Sequence, residues 1–257
     1  MLDIIARLMK LTVTPIKTPV LHIGDDLLQI ISNQIDSLPE NSVLVVTSKV
    51  VSLWEKRVAK KITGTRKEKH ELVKKEADKY LPSSTSRYNF MIAIRHQRLL
   101  VNAGLDESNV QSGYYVLLPK DPYRSAKEIW QFCRKQYGVK NLGVVISDSH
   151  STPLKWGVFG TALGHCGFKS LVSKIGKKDL FNRPFQMATI NLSESIAQAG
   201  VFMMGETDES TPLAIVEGVP DIKFQDRSST KQEIDELAIE FKDDMYYPLL
   251  GAVEWQS

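Results

Sequence analysis

Short apolar runs alternate with polar loops along this chain, and the spacing of the apolar positions assigns most runs to a strand or a helix. Residues 10–18 alternate as a strand does, and Asp25 or Asp26 then caps a helix whose Leu27, Leu28, Ile30, Ile31 and Ile35 share one face. Pro39 closes that helix. Residues 42–47, SVLVVT, read as a buried strand with Ser48 and Lys49 at its end, followed by the apolar start of a helix or a further strand. The densely charged stretch 65–80 predicts a helix with a solvated face, since its basic and acidic residues alternate. Residues 82–87 form a loop. Two apolar runs over 90–103, separated by His96, Gln97 and Arg98, predict a hairpin. A short strand ends at 116–119, and 125–137 is an amphipathic helix with Trp130 and Cys133 in its core face, stopped by Gly138.

Val144, Val145 and Ile146 then make a β-branched run of the kind buried on both faces of a sheet, which breaks off at Ser147, Asp148, Ser149 and His150. A hydroxyl and a carboxylate at a rigid strand end suit a hard cation such as Mg²⁺; a turn or helix cap uses the same residues. Gly157, Gly160, Gly164 and Gly167 mark a close-packed passage of strand or helix, in which His165 and Cys166 are structural. Residues 189–204 predict an apolar helix, 213–216 a strand, and 231–241 an amphipathic helix, with Trp255 near the end.

Composition narrows the class. At 257 residues the chain can bury a substantial core, as one unit or as two intimate subdomains with no clear boundary. A net charge of +3 decides nothing about anionic partners, and because acidic residues alternate with the basic ones in the charged stretch 65–80, no nucleic-acid partner is expected. Two cysteines without metal-ligand spacing suit a reducing compartment. The apolar start of the chain is broken by Asp3, Arg7 and Lys10 and falls short of a membrane span, so a cytoplasmic protein without a membrane partner is expected.

Three polar loops carry candidate chemistry besides the strand end at Ser48 and Lys49, where a hydroxyl and an ammonium can meet a phosphate. In NAGLDESNV, Gly104 permits close backbone approach while Asp106 and Asn109 offer a metal ligand and a hydrogen-bonding amide, or an Asx turn. The second is Ser147 to His150. The third, GETDESTP after the 189–204 helix, concentrates three carboxylates beside a glycine.

Taken in order, PVLHIGDDL, VTSKVVSLWEKRV, NAGLDESNV, VLLPKDPYRSA, VVISDSHSTPLKWG and MMGETDESTPLAIVEG resemble the coenzyme F420-0:γ-glutamyl ligase family over about 19–218. The resemblance implies an α+β fold of mixed sheets with packed helices, an intertwined homodimer, and a ligase that joins L-glutamate through a γ-linked amide by way of an acyl phosphate. It implies GTP or ATP as co-substrate and two Mg²⁺ or Mn²⁺ ions, with K⁺ aiding some members. By motif position, Asp106 and Asp148 would hold the first metal, with Ser149 and Glu206 at the second, and Lys49 would join Asp106 and Asp148 in catalysis. Ser48, Lys49, Asn109, Thr18, Pro19, Val20, Leu21 and the loop of Met204, Gly205, Glu206, Thr207, Asp208, Glu209, Ser210 and Thr211 would contact the nucleotide.

The chain departs from the F420 pattern at two places. Leu53 stands where SKIVSK would have its second lysine, and Ser151, Thr152, Pro153, Leu154 and Lys155 replace a Gly-Arg-Pro-Trp-Arg turn. These variants resemble the family's folate-metabolism branch, which implies a folate as the acceptor, with F420-0 as the alternative acceptor and a non-catalytic nucleotide-binding protein as the alternative outside catalysis.

Overall fold

A computed structural model describes residues 10–257, so the expectation about the apolar start of the chain falls largely on residues 1–9, outside the described residues. Strand β1 (Thr12–Ile16) leads to α1 (Leu27–Gln34), capped by the Asp26 carboxylate, which accepts from the Leu28 and Gln29 amides. Strand β2 (Ser42–Thr47) runs directly into α2 (Ser48–Trp54), so Ser48 and Lys49 are the first residues of a helix. Then come β3 (Val58–Lys60), α3 (Arg66–Glu76) with Thr65 as its cap, β4 (Lys79–Tyr80), the hairpin β5 (Ile92–Arg95) and β6 (Arg98–Val101), and β7 (Tyr114–Val116). The charged helix is thus shorter than 65–80, because Asp78 and Tyr80 leave it to pair with β5. The hairpin turn is His96 and Gln97 alone, both at positive φ as a two-residue turn of this hand requires.

Helix α4 (Pro122–Tyr137) has Asp121 as its cap and Pro122 in its first turn, and Gly138 ends it at φ 68°. Strands β8 (Leu142–His150), β9 (Phe159–Cys166), β10 (Phe168–Lys169), β11 (Leu171–Ser173) and β12 (Thr189–Asn191) precede α5 (Leu192–Met204). The chain closes with β13 (Leu213–Glu217), β14 (Lys223–Phe224), α6 (Lys231–Asp235) and α7 (Tyr247–Leu250). Four expectations change here. Helix α4 begins at Pro122 rather than 125, where Asp121 caps it, and α5 begins at Leu192 rather than 189, because Thr189–Asn191 pairs with β11. The strand does not end at Ser147: β8 continues through His150, because Asp148 and Ser149 pair with Thr161 and Gly160 of β9. The helix over 231–241 stops at Asp235, and Phe241 packs instead against the rings of Tyr247 and Trp255 at 5.8 and 6.4 Å.

The central sheet has the order β1–β13–β2–β8–β9, with β2 and β8 parallel and every other pair antiparallel. Helices cover both of its faces, which is why β2 and β8 are continuously apolar. Leu44, Val46, Val144 and Ile146 pack with α1, α2 and α4 on one face; Val43, Val45 and Val145 meet α5 on the other. These seven side chains have no exposed surface, and each contributes about 1.5–3 kcal/mol by leaving water. A third apolar cluster, around Val73, Met91 and Tyr115, anchors the β5–β6 hairpin and with it the loop carrying Asp106. The result is the expected α+β class with mixed sheets.

Candidate functional site

Sheet direction gathers the polar loops. Because β2 and β8 are parallel, with Thr47 beside Ser147, their carboxyl ends open at one edge of the sheet. Strand β13 begins at that edge with Leu213 opposite Val46, and β1 ends there with Ile16 opposite Leu213. The segments after β1 and β2 and before β13 therefore meet the end of β8, at the place where open α/β sheets commonly bind ligands. A cavity of about 520 Å³ lies there.

One wall of the cavity is apolar, made by Val20, Leu21, Val50, Leu53, Val110 and Met204. The rest of the lining carries Asp106, Asp148, Ser149 and Glu206, with Lys49 the one lysine or arginine on it among the described residues. Lys49 Nζ sits 2.7 Å from Asp106 Oδ2 and donates to Ser108 Oγ at 2.9 Å. Asp106 is held by its own loop, its Oδ1 accepting from the Glu107 and Ser108 amides at 2.6 and 3.1 Å. Ser48 lies buried behind the lining and donates to Asp148 Oδ1 at 3.1 Å. Asn109, at φ 52°, donates from Nδ2 to the Thr207 carbonyl at 2.7 Å and ties the Asp106 loop to the loop before β13. That second loop is fastened by the Thr18 amide on the Ser210 carbonyl at 2.8 Å and by Thr211 Oγ1 on the Met204 carbonyl at 2.5 Å.

The three carboxylates differ in how readily they ionise. Burial pushes Asp106 up, but the Lys49 ammonium and the Ser108 donors outweigh it and bring the carboxyl to about 2. Asp148 is half-buried by accessible surface yet densely surrounded by protein, and burial raises it to about 6 against the opposing bond from Ser48. Glu206 stands at the rim and is also raised, by loss of water that the Ser149 hydroxyl and Lys49 offset only in part. Two carboxylates thus lack the counter-charge that Asp106 has.

The expected site residues come together as a group: Thr18 to Leu21, Lys49, Asp106, Asn109, Asp148, Ser149 and Met204 to Thr211 all line this cavity. The donor set is entirely oxygen, as Mg²⁺ and Mn²⁺ prefer. Among the described residues, no three His, Cys, Asp or Glu side chains converge as a ready metal cage. Sequence reasoning missed Ser108, which bonds both Lys49 and Asp106; its place two residues after an aspartate was the available signal. It also gave Val50 and Val110 no role, because apolar lining is indistinguishable from core in one sequence.

Comparison with known proteins gives a family match over residues 15–218, to the family described as F420-0:Gamma-glutamyl ligase. Similar relatives include a protein named coenzyme F420:L-glutamate ligase from Methanopyrus kandleri, 33% identical over 76% of this chain and 82% of its own. Proteins of the same name from Archaeoglobus fulgidus (30%, covering 82% of this chain and 89% of its own) and Methanococcus maripaludis (31%, 86% and 93%) are also similar.

Proposed function

Since the chain belongs to the F420-0:γ-glutamyl ligase family, we propose that it adds L-glutamate through a γ-linked amide to an F420-like acceptor, driven by GTP or ATP. The observation that carries this reading is that Lys49, Asp106, Asp148 and Glu206 line one cavity together with the apolar Val20, Leu21, Val50, Leu53, Val110 and Met204. The wall suits a nucleobase and the polar side suits phosphates. The acceptor expected from the sequence variants was a folate; the relatives named above favour F420, so the F420-like acceptor takes the lead.

In this reading an acceptor carboxylate oxygen bonds to the γ-phosphorus as the bond to the bridging oxygen breaks, and nucleoside diphosphate departs. The glutamate amine then bonds to the acyl carbon, loses a proton to water, and inorganic phosphate leaves. Lys49 steadies the phosphates, its ammonium fixed in place by Asp106 and Ser108. Asp106 and Asp148, with Ser149 and Glu206, would hold Mg²⁺ or Mn²⁺, which when bound neutralises charge on the transferred phosphoryl group. Asn109 and the Thr207 carbonyl keep the two loops together over the nucleotide.

The chain acts as one unit and as a homodimer in this reading, and the Leu154, Trp156, Phe181, Met187 and Phe202 side chains, each more than three-quarters exposed, are the surface that a partner subunit would cover. Among the described residues no helix is long and apolar enough to cross a membrane, and a cytoplasmic site of action accords with this. Thermal unfolding with GTP or ATP, each with and without Mg²⁺, tests the nucleotide site. Nucleotide at 100 times its Kd should stabilise the protein by about 2.7 kcal/mol, only with the metal present. No shift with either nucleotide contradicts the reading.

A further inference from the structure

A second cavity, about 870 Å³, lies close to the first. Asp148, on the lining of the first, is the ladder partner of Thr161, whose hydroxyl donates at 3.0 Å to Glu194, and Glu194 lines the second. One ladder rung and one hydrogen bond span the wall between them. The volume falls in the range that encloses an organic ligand of drug size. It exceeds what an amino acid fills.

The charges on its lining are unevenly satisfied. Each carboxylate is engaged within the fold: Glu55 accepts from Ser125 and the Lys120 amide, Asp121 caps α4, Glu128 pairs with Arg124, and Glu194 accepts from Thr161 and the Ala162 amide. Arg98 and Lys120, on the same lining, have no carboxylate partner among the described residues. Arg98 donates to the Ala162 and His96 carbonyls and meets the Tyr123 hydroxyl, which still leaves part of its five-donor fork unused. His96 lines the same wall, and its Nε2 is buried with no hydrogen-bond partner among the described residues. Leu163 and Leu237 supply apolar surface. The lining is formally neutral, with four carboxylates against Arg57, Arg98, Lys120 and Arg124, but the carboxylates already accept bonds within the fold and Arg57 and Arg124 are paired, so the groups left to meet a ligand are Arg98, Lys120 and the apolar side, a set that fits an organic acid.

We propose that this second cavity binds the carboxylate-bearing acceptor, with Arg98 and Lys120 as its charge contacts and Leu163 and Leu237 against its apolar part. The assignment rests on the ligase reading and adds to it the place of the second substrate, beside Asp148 and outside the nucleotide cavity. Free L-glutamate shares the carboxylate chemistry, so the test separates the two.

Calorimetric titration of the full chain with coenzyme F420, and separately with L-glutamate, compares the wild type with Arg98→Gln/Lys120→Gln and with Lys120→Glu. The single variant guards against misfolding, since Lys120 is exposed and its side chain makes no hydrogen bond or ion pair among the described residues. The Kd for F420 should rise at least tenfold in the double variant and at least threefold in Lys120→Glu, while the thermal shift given by nucleotide and Mg²⁺ is unchanged. Variants within twofold of wild type overturn the proposal, as does F420 competing with nucleotide, no F420 binding at all, or glutamate binding alone depending on these residues. Failure of the ligase reading looks different: F420 binds in an Arg98- and Lys120-dependent way, yet no glutamate is added.

Discussion

Lys49 and Asp106 stand 57 residues apart in the chain, yet the lysine ammonium lies 2.7 Å from the carboxylate. One comes from the helix that follows β2 and the other from a loop held by the hairpin region, so the pair links the central sheet to a separate apolar cluster. The two side chains are 22% and 48% exposed, and a pair so open to water contributes at most about 1 kcal/mol to stability. Its larger consequence is chemical: Asp106 stays ionised and Lys49 points into the cavity. Lys49→Gln should therefore lower the nucleotide-dependent release of phosphate at least 100-fold while moving the melting temperature by no more than about 4 °C. Phosphate release near the wild-type rate would remove Lys49 from the site.

Asp148 makes a pH-dependent prediction. Its carboxyl ionises at about 6 in the fold and near 3.9 in an unfolded chain. Between those values the folded protein keeps a proton that the unfolded chain has lost, so this group's contribution to stability declines as pH rises toward 6 and stays low above it. Asp148→Asn, measured with a chelator present, should melt a few degrees above wild type at pH 7.5, and the gap should close near pH 4. The same variant should have no turnover. A variant that melts below wild type at pH 7.5 would mean that the carboxylate is compensated in the fold.

Leu53 is 2% exposed and lines the apolar wall. Leu53→Lys places an ammonium where, among the described residues, the cavity offers only Lys49 as a neighbour of its kind. The melting temperature should fall by several degrees, and the ratio of KM for GTP to KM for ATP should change at least threefold. An unchanged ratio would place the nucleobase away from this wall.

Gly160 tests the packing that sets the end of β8. A Cβ there would lie 2.5 Å from the Ala197 carbonyl oxygen and 2.8 Å from its carbon, both backbone atoms of α5. Gly160→Ala should cost about 1–3 kcal/mol, a fall of roughly 2–10 °C in melting temperature. A neutral substitution would show that α5 and β9 can separate freely.

Much of this was legible in the sequence because it is local. Val43 to Val46 and Val144 to Ile146 announce buried strands by their own side chains, and Asp26 and Gly138 announce helix ends, whereas the start of α4 at Asp121 and Pro122 was not read. The candidate site residues were named through motif order, and the parallel pairing of β2 with β8 explains why segments so far apart share a cavity. The extension of β8 through Asp148 was hidden, since it depends on pairing with β9 across a loop. The early end of α6 was hidden for the same reason: Phe241 follows Tyr247 and Trp255, not the periodicity of its neighbours. The second cavity left no local trace at all, because Arg98, Lys120, Glu194 and Leu237 each look like ordinary surface or core until the fold brings them to one lining.

The most direct measurement is mass spectrometry of the acceptor after incubation of the purified protein with L-glutamate, Mg²⁺ and Mn²⁺, and GTP or ATP, offering F420-0 and tetrahydrofolate monoglutamate in parallel. The expected result is a gain of one or more glutamate residues on F420-0, dependent on nucleotide and abolished by Asp148→Asn. A gain on the folate alone would contradict the F420 assignment, and no gain on either, with nucleotide bound, would contradict the ligase reading itself.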